Sequence, residues 1–154
     1  FPALKAVNLE GKPIGLPVNN GKYTVVAIAF SRSAEDDLRR WLNPLYETFV
    51  HSEKNAGGLS PAEVNDVNFY FNPLISGFKK LADDFKSKTD KEFWPYILDT
   101  EKTDIKELEK TLLIKDDKAP WFFVLDQNGK VIEKQWGTFQ PAKLDKLEDA
   151  ADPD

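Results

Sequence analysis

The chain has no cysteine, no methionine and a single histidine, His51, among its 154 residues. The missing cysteine excludes disulfides, thiolate catalysis and thiolate-bound metal together, because each needs a sulfur that is not there. It leaves the compartment open, since a protein without thiols tolerates any redox poise. One histidine cannot build a His-based metal site, and His51 falls in a polar stretch just past a helical pattern, where it reads as solvated. Positive charge is also short. The 21 Lys and Arg against 26 Asp and Glu give a formal charge of -5, with a pI near 5.0. Nucleic acid needs a basic face, so no nucleic-acid partner is expected. No apolar run approaches the roughly 18 residues of a span, so the domain is not expected to insert into a membrane. A Gly-rich phosphate cradle, a Ser-His-Asp order and a His-x-Glu motif are all missing. The acidic pairs Asp83-Asp84 and Asp116-Asp117 lack the spacing of a calcium loop. No cofactor and no metal are therefore expected. The chain opens on Phe1-Pro2 with neither initiator Met nor signal peptide. That favours a soluble protein in an exported or processed location.

What is present is ordinary for one globular domain spanning residues 1–154, with 41% apolar and 31% charged residues. The organising stretch is Tyr23 to Val50. Tyr23-Thr24-Val25-Val26-Ala27-Ile28-Ala29-Phe30 is an almost unbroken β-branched and aromatic run, the pattern of a central strand covered on both faces. Ser31-Arg32-Ser33 then turns the chain into a helix from Ala34, with Ser33 and Asp36 as an acidic variant of a capping box. Leu38, Trp41, Leu42, Leu45, Tyr46 and Phe49 make its apolar stripe, and Pro44 within it should kink the helix rather than end it.

Ahead of this stretch, residues 1–22 read as a hairpin extension around Gly11. After it comes a loop from His51 to Pro61, then a strand at Val67–Phe71 and a helix from Leu74 to about Lys88. A short strand at Tyr96–Leu98 and a helix opening at Thr103 follow. Trp121–Leu125 and Lys130–Trp136 are joined by Asp126-Gln127-Asn128-Gly129, an antiparallel hairpin signal. Pro141 starts a last helix, and residues 149–154 read as a disordered acidic tail. The order predicts an α/β fold in three layers, a mixed central sheet flanked by helices with an N-terminal β-hairpin.

Several stretches resemble the thioredoxin-like superfamily, in particular its redoxin branch of peroxiredoxin-like and cytochrome-maturation proteins. Leu9-Glu10-Gly11-Lys12-Pro13-Ile14-Gly15-Leu16 is similar to that branch's N-terminal hairpin, and Gly21-Lys22-Tyr23-Thr24-Val25-Val26-Ala27-Ile28-Ala29-Phe30 to its first core strand. Ala119-Pro120-Trp121-Phe122-Phe123-Val124-Leu125-Asp126-Gln127-Asn128-Gly129-Lys130 is similar to its Pro loop and hairpin, and Gly137 to the glycine before its last helix. A smaller likeness, Phe30-Ser31 with Trp41 and Pro44, is to thioredoxin-like assembly factors of mitochondrial ATP synthase. The resemblance puts the redox cysteines near Glu35 or Asp36 and near Leu38 or Arg39, so the thiol chemistry does not carry over. It also makes Ala119–Pro120 a cis peptide.

The candidate binding residues are Ser31, Arg32, Ser33, Glu35, Asp36, Lys118, Pro120 and Trp121, with no catalytic residue. A carboxylate in a first helical turn complements the helix dipole. Arg32 could pair with Glu35 or Asp36, or contact an anion or carboxylate. Trp121 could be core or an exposed anchor. The resemblance implies a redox-inactive domain that recognises a protein or extended peptide, as an assembly factor or chaperone would. The alternatives are a non-thiol enzyme or binder of a small anion such as glutathione at the helix N-terminus, and a purely structural domain.

Overall fold

The computed structural model describes residues 3–18, 21–30, 32–49, 67–73, 91–100 and 105–151. Strands β1 (Leu4–Asn8) and β2 (Pro13–Leu16) form the N-terminal hairpin, and β3 (Tyr23–Ala29) leads into helix α1 (Arg32–Phe49). Then come β4 (Val67–Pro73), a 3-10 turn (Lys91–Tyr96), β5 (Leu98–Thr100) and helix α2 (Ile105–Thr111). The chain finishes with β6 (Trp121–Leu125), β7 (Val131–Trp136) and helix α3 (Pro141–Ala151).

The main sheet runs β4-β3-β6-β7, with β3 parallel to β4 and antiparallel to β6. β7 returns antiparallel to β6 as its outer edge. A second sheet, β2-β1-β5, meets the first through a parallel bridge between Phe71 and Ile97. Each residue from Val25 to Ala29 is fully buried because both faces of β3 are covered. Val25, Ala27 and Ala29 pack with Leu38, Trp41 and Leu45 of α1 and Leu147 of α3. Val26 and Ile28 pack on the other face with Leu4 and Leu16 of the hairpin and Leu108 and Leu112 of α2. Each such aliphatic side chain contributes about 1.5–3 kcal/mol by leaving water. Two helices on one face, and a helix with a hairpin on the other, make the three-layer sandwich predicted from the sequence.

Local chemistry sets the turns. Buried Asn8 accepts from the backbone N–H groups of Glu10 (3.0 Å) and Lys12 (2.9 Å), while its amide donates to the Pro95 carbonyl (3.3 Å). This one side chain shapes the first hairpin turn and ties it to the 3-10 turn. Asp126 accepts in the same way from Asn128 (2.9 Å) and Lys130 (3.0 Å), with Gly129 at a φ of 82° between them. Helix α2 ends in paired bonds from Leu113 N–H to the Lys110 carbonyl and from Ile114 N–H to the Glu109 carbonyl. The residue in the left-handed position of this Schellman end is Leu113, at a φ of 58°. Glycine is usual there, and a leucine costs about 1–2 kcal/mol by the clash of its Cβ.

Several expected boundaries move. Helix α1 starts at Arg32, so Ser33 lies inside the first turn and is not the cap. The helix runs through Pro44, as expected. Tyr96 closes the 3-10 turn, and the short strand begins at Leu98. Asp149, Ala150 and Ala151 belong to α3 rather than to a tail, because Ala151 is buried against the α1 side of the core. The loop at 51–61, the helix at 74–88, Thr103 and residues 152–154 lie outside the described residues. No helix among the described residues is long and apolar enough to cross a membrane.

Candidate functional site

The antiparallel register sets Ile28, near the end of β3, opposite Trp121 at the start of β6, and Trp121 opposite Trp136 at the end of β7. The start of α1, the loop before β6 and the end of β7 therefore lie at one end of the sheet. Such an end collects free backbone donors and the positive pole of a helix.

The loop before β6 is held by its own polar groups. Lys118 N–H donates to the Asp116 carboxylate (2.9 Å), and the Trp121 indole N–H donates to the Asp116 carbonyl (2.8 Å). The Gly137 N–H donates to the Pro120 carbonyl (3.0 Å). The Trp41 indole donates in turn to the Gly137 carbonyl (3.1 Å). Loop, edge strand and helix α1 are thus linked through Gly137.

Of the residues expected to form a binding edge, Lys118 and Asp36 are exposed and Pro120 is buried. Arg32 and Ser33 open α1, but the side chains of Arg32, Ser33 and Glu35, and all of Ser31, lie outside the described residues. Trp121 is core, at 1% exposure, so it cannot be a surface anchor. The aromatic surface belongs to Trp136, 46% exposed and stacked on Trp121 with ring centroids 4.8 Å apart. Lys134 places its Nζ 5.6 Å from the Trp121 ring centroid. A tryptophan closing a strand just before a glycine was the available signal for Trp136, but only the pairing shows which of the two rings is covered. On the same edge strand, the Glu133 carboxylate accepts from Lys134 N–H (3.1 Å) and from the Gln135 amide (3.0 Å). Part of the open sheet edge is therefore already occupied by its own side chain.

The expected cis Ala119–Pro120 peptide is corrected: among the described residues the cis peptide is Leu16–Pro17, and Ala119–Pro120 is trans. Trans is the lower-energy isomer for an X–Pro bond, by about 0.5–1 kcal/mol, and the hydrogen bonds made by Asp116, Pro120 and Gly137 are all satisfied with it. At the two positions where the resemblance would place cysteines, Asp36 faces solvent, Leu38 is core and Arg39 is half-buried. Among the described residues no cluster of three or more His, Cys, Asp or Glu could hold a metal ion.

Similarity to known proteins is structural. The pneumococcal exposed lipoprotein thioredoxin Etrx1 from Streptococcus pneumoniae superposes with a TM-score of 0.64 at 14% identity, covering 96% of this chain and 98% of that one. The fold is thioredoxin-like. A thiol:disulfide interchange protein from Bacteroides sp. gives a TM-score of 0.61 at 20% identity over 87% of this chain and 77% of that one. BsSco, a member of the Sco family of cytochrome c oxidase assembly proteins, gives 0.59 at 12% identity over 97% and 92%. The present chain shares the fold of these neighbours and contains no cysteine. No protein-family model and no curated protein sequence matches it.

Proposed function

We propose that this thioredoxin-like domain binds a protein or an extended peptide at the α1 end of its sheet and carries out no thiol chemistry. The observation that carries this reading is the register Ile28–Trp121–Trp136, which gathers a helix N-terminus, the Pro120 loop and an exposed tryptophan in a chain with no cysteine. Backbone donors suit an extended segment, the helix pole and the Arg32 guanidinium suit a carboxylate, and Trp136 offers an apolar face. The description of one neighbour as an assembly protein is in keeping with a protein partner.

The test is photo-crosslinking from Lys118, which is exposed, in the native cell. A discrete adduct should form and should be lost when Arg32 and Trp136 are both replaced by alanine. An adduct unchanged in that variant would refute the reading. Saturable glutathione binding with no protein adduct would replace it with the small-anion alternative.

A further inference from the structure

We propose that Glu133 guards the outer edge of the main sheet, and that without its carboxylate a second copy of this chain pairs with β7. β7 is the outer strand of the four-stranded sheet, six residues long and without proline. The outer strand of the second sheet, β2, has only four residues and begins at Pro13, so its length and a missing donor already blunt it. β7 has neither protection. It also carries Ile132 at 42% exposure and Trp136 at 46%, two of the three exposed large apolar side chains among the described residues. An edge strand with apolar side chains in water is a template for another strand.

The alternation of the ladder shows which backbone groups are open. Gly137 N–H donates inward to the Pro120 carbonyl at 3.0 Å, so Lys134, three residues back, turns its own N–H and carbonyl outward. The Glu133 carboxylate accepts from that outward N–H at 3.1 Å. The same oxygen accepts from the Gln135 amide at 3.0 Å, which holds the carboxylate in place. Glu133 thus fills the position that a carbonyl of an incoming strand would take, and its charge repels that carbonyl. Two further features weaken pairing along the strand. Val124 pairs with Glu133 but Leu125 with Val131, so Ile132 is the extra residue of a bulge, which twists the edge. Lys134 brings a charge to the middle of the strand, with its Nζ 5.6 Å from the Trp121 ring centroid. Glu133 is the one of the three that occupies a ladder position. This device is independent of partner binding at the α1 end of the sheet, and neither reading rests on the other.

The test compares the whole chain with Glu133→Val and with a control, Glu148→Val, which makes the same exchange at an exposed position of α3. Sedimentation velocity at micromolar to millimolar concentration reads self-association, and circular dichroism checks that each variant is folded. The wild type and the control should sediment as monomers throughout. Glu133→Val should associate at least roughly tenfold more tightly than either. Amide hydrogen exchange then locates the contact. In dilute solution the Lys134 amide should exchange roughly tenfold faster in Glu133→Val than in the wild type, because it has lost its acceptor. It should slow again as the concentration of Glu133→Val rises, because the second copy supplies a new acceptor. The proposal is overturned if the wild type already pairs through β7, if Glu133→Val stays monomeric at millimolar concentration, or if Glu148→Val associates as tightly. It is also overturned if the Lys134 amide exchanges at one rate in all of these samples.

Discussion

The Trp41 indole donates to the Gly137 carbonyl at 3.1 Å, joining the middle of α1 to the residue that ends the edge strand. Trp41 is fully buried, against Phe122 at 4.0 Å and Phe139 at 5.0 Å between ring centroids. Trp41→Phe should keep part of the stacking but leave the carbonyl without its donor, a loss of about 1–3 kcal/mol before any cavity is counted. Urea unfolding followed by far-UV circular dichroism measures it. A variant as stable as the wild type would show that this bond does not hold the site end together.

The two stacked tryptophans should behave oppositely. Trp121→Ala removes a core side chain and should cost about 3–5 kcal/mol. Trp136→Ala removes a half-exposed ring at a strand end and should cost about 1 kcal/mol or less. The same denaturation series decides it, and Trp136→Ala is then the variant fit for binding assays.

Gly129 combines a φ of 82° with close packing, since a Cβ there would lie 2.6 Å from Pro17 Cγ. Gly129→Ala should therefore destabilise by about 1–3 kcal/mol, from the left-handed backbone and the clash together. Gly11 has a similar φ of 87° but open space around it, so Gly11→Ala should cost only the backbone share. Equal losses at both positions would show that the packing against Pro17 contributes nothing.

Tyr70 and Tyr96 are half-buried, and their phenols are pushed above the ordinary 10.0 by burial first, then by each other's neighbourhood: Tyr96 acts on Tyr70, and Glu10 on Tyr96. The folded state then holds protons that the unfolded chain has begun to release. Stability should be fully present below pH 10 and decline as pH rises through the folded values. Ultraviolet titration should show Tyr70 and Tyr96 ionising late, and urea midpoints should fall over the same range. Tyr70 and Tyr96 ionising at the ordinary value would contradict it.

Insulin reduction and thiol-dependent peroxide consumption should both stay at the buffer blank. The nucleophile in each is a thiolate, which a chain without cysteine cannot supply. A rate that persists through a second purification would overturn this.

Local pattern was enough to place the main strands. The runs at Tyr23, Val67, Trp121 and Lys130 announced β3, β4, β6 and β7 to within two residues, because β-branching and alternation act over single strand lengths. The Asp126–Gly129 turn was legible for the same reason, being built from bonds between near neighbours. That these 154 residues hold no thiolate nucleophile was legible from composition alone. The site was less legible. Trp121 and Trp136 look alike in sequence, and only the cross-strand pairing, with Asp116 taking the Trp121 indole, buries one and leaves the other in water. The Ala119–Pro120 isomer, the start of α1 ahead of Ser33 and the burial of Ala151 were likewise decided by tertiary structure. Each depends on groups distant in the chain, whose free energies no local window contains.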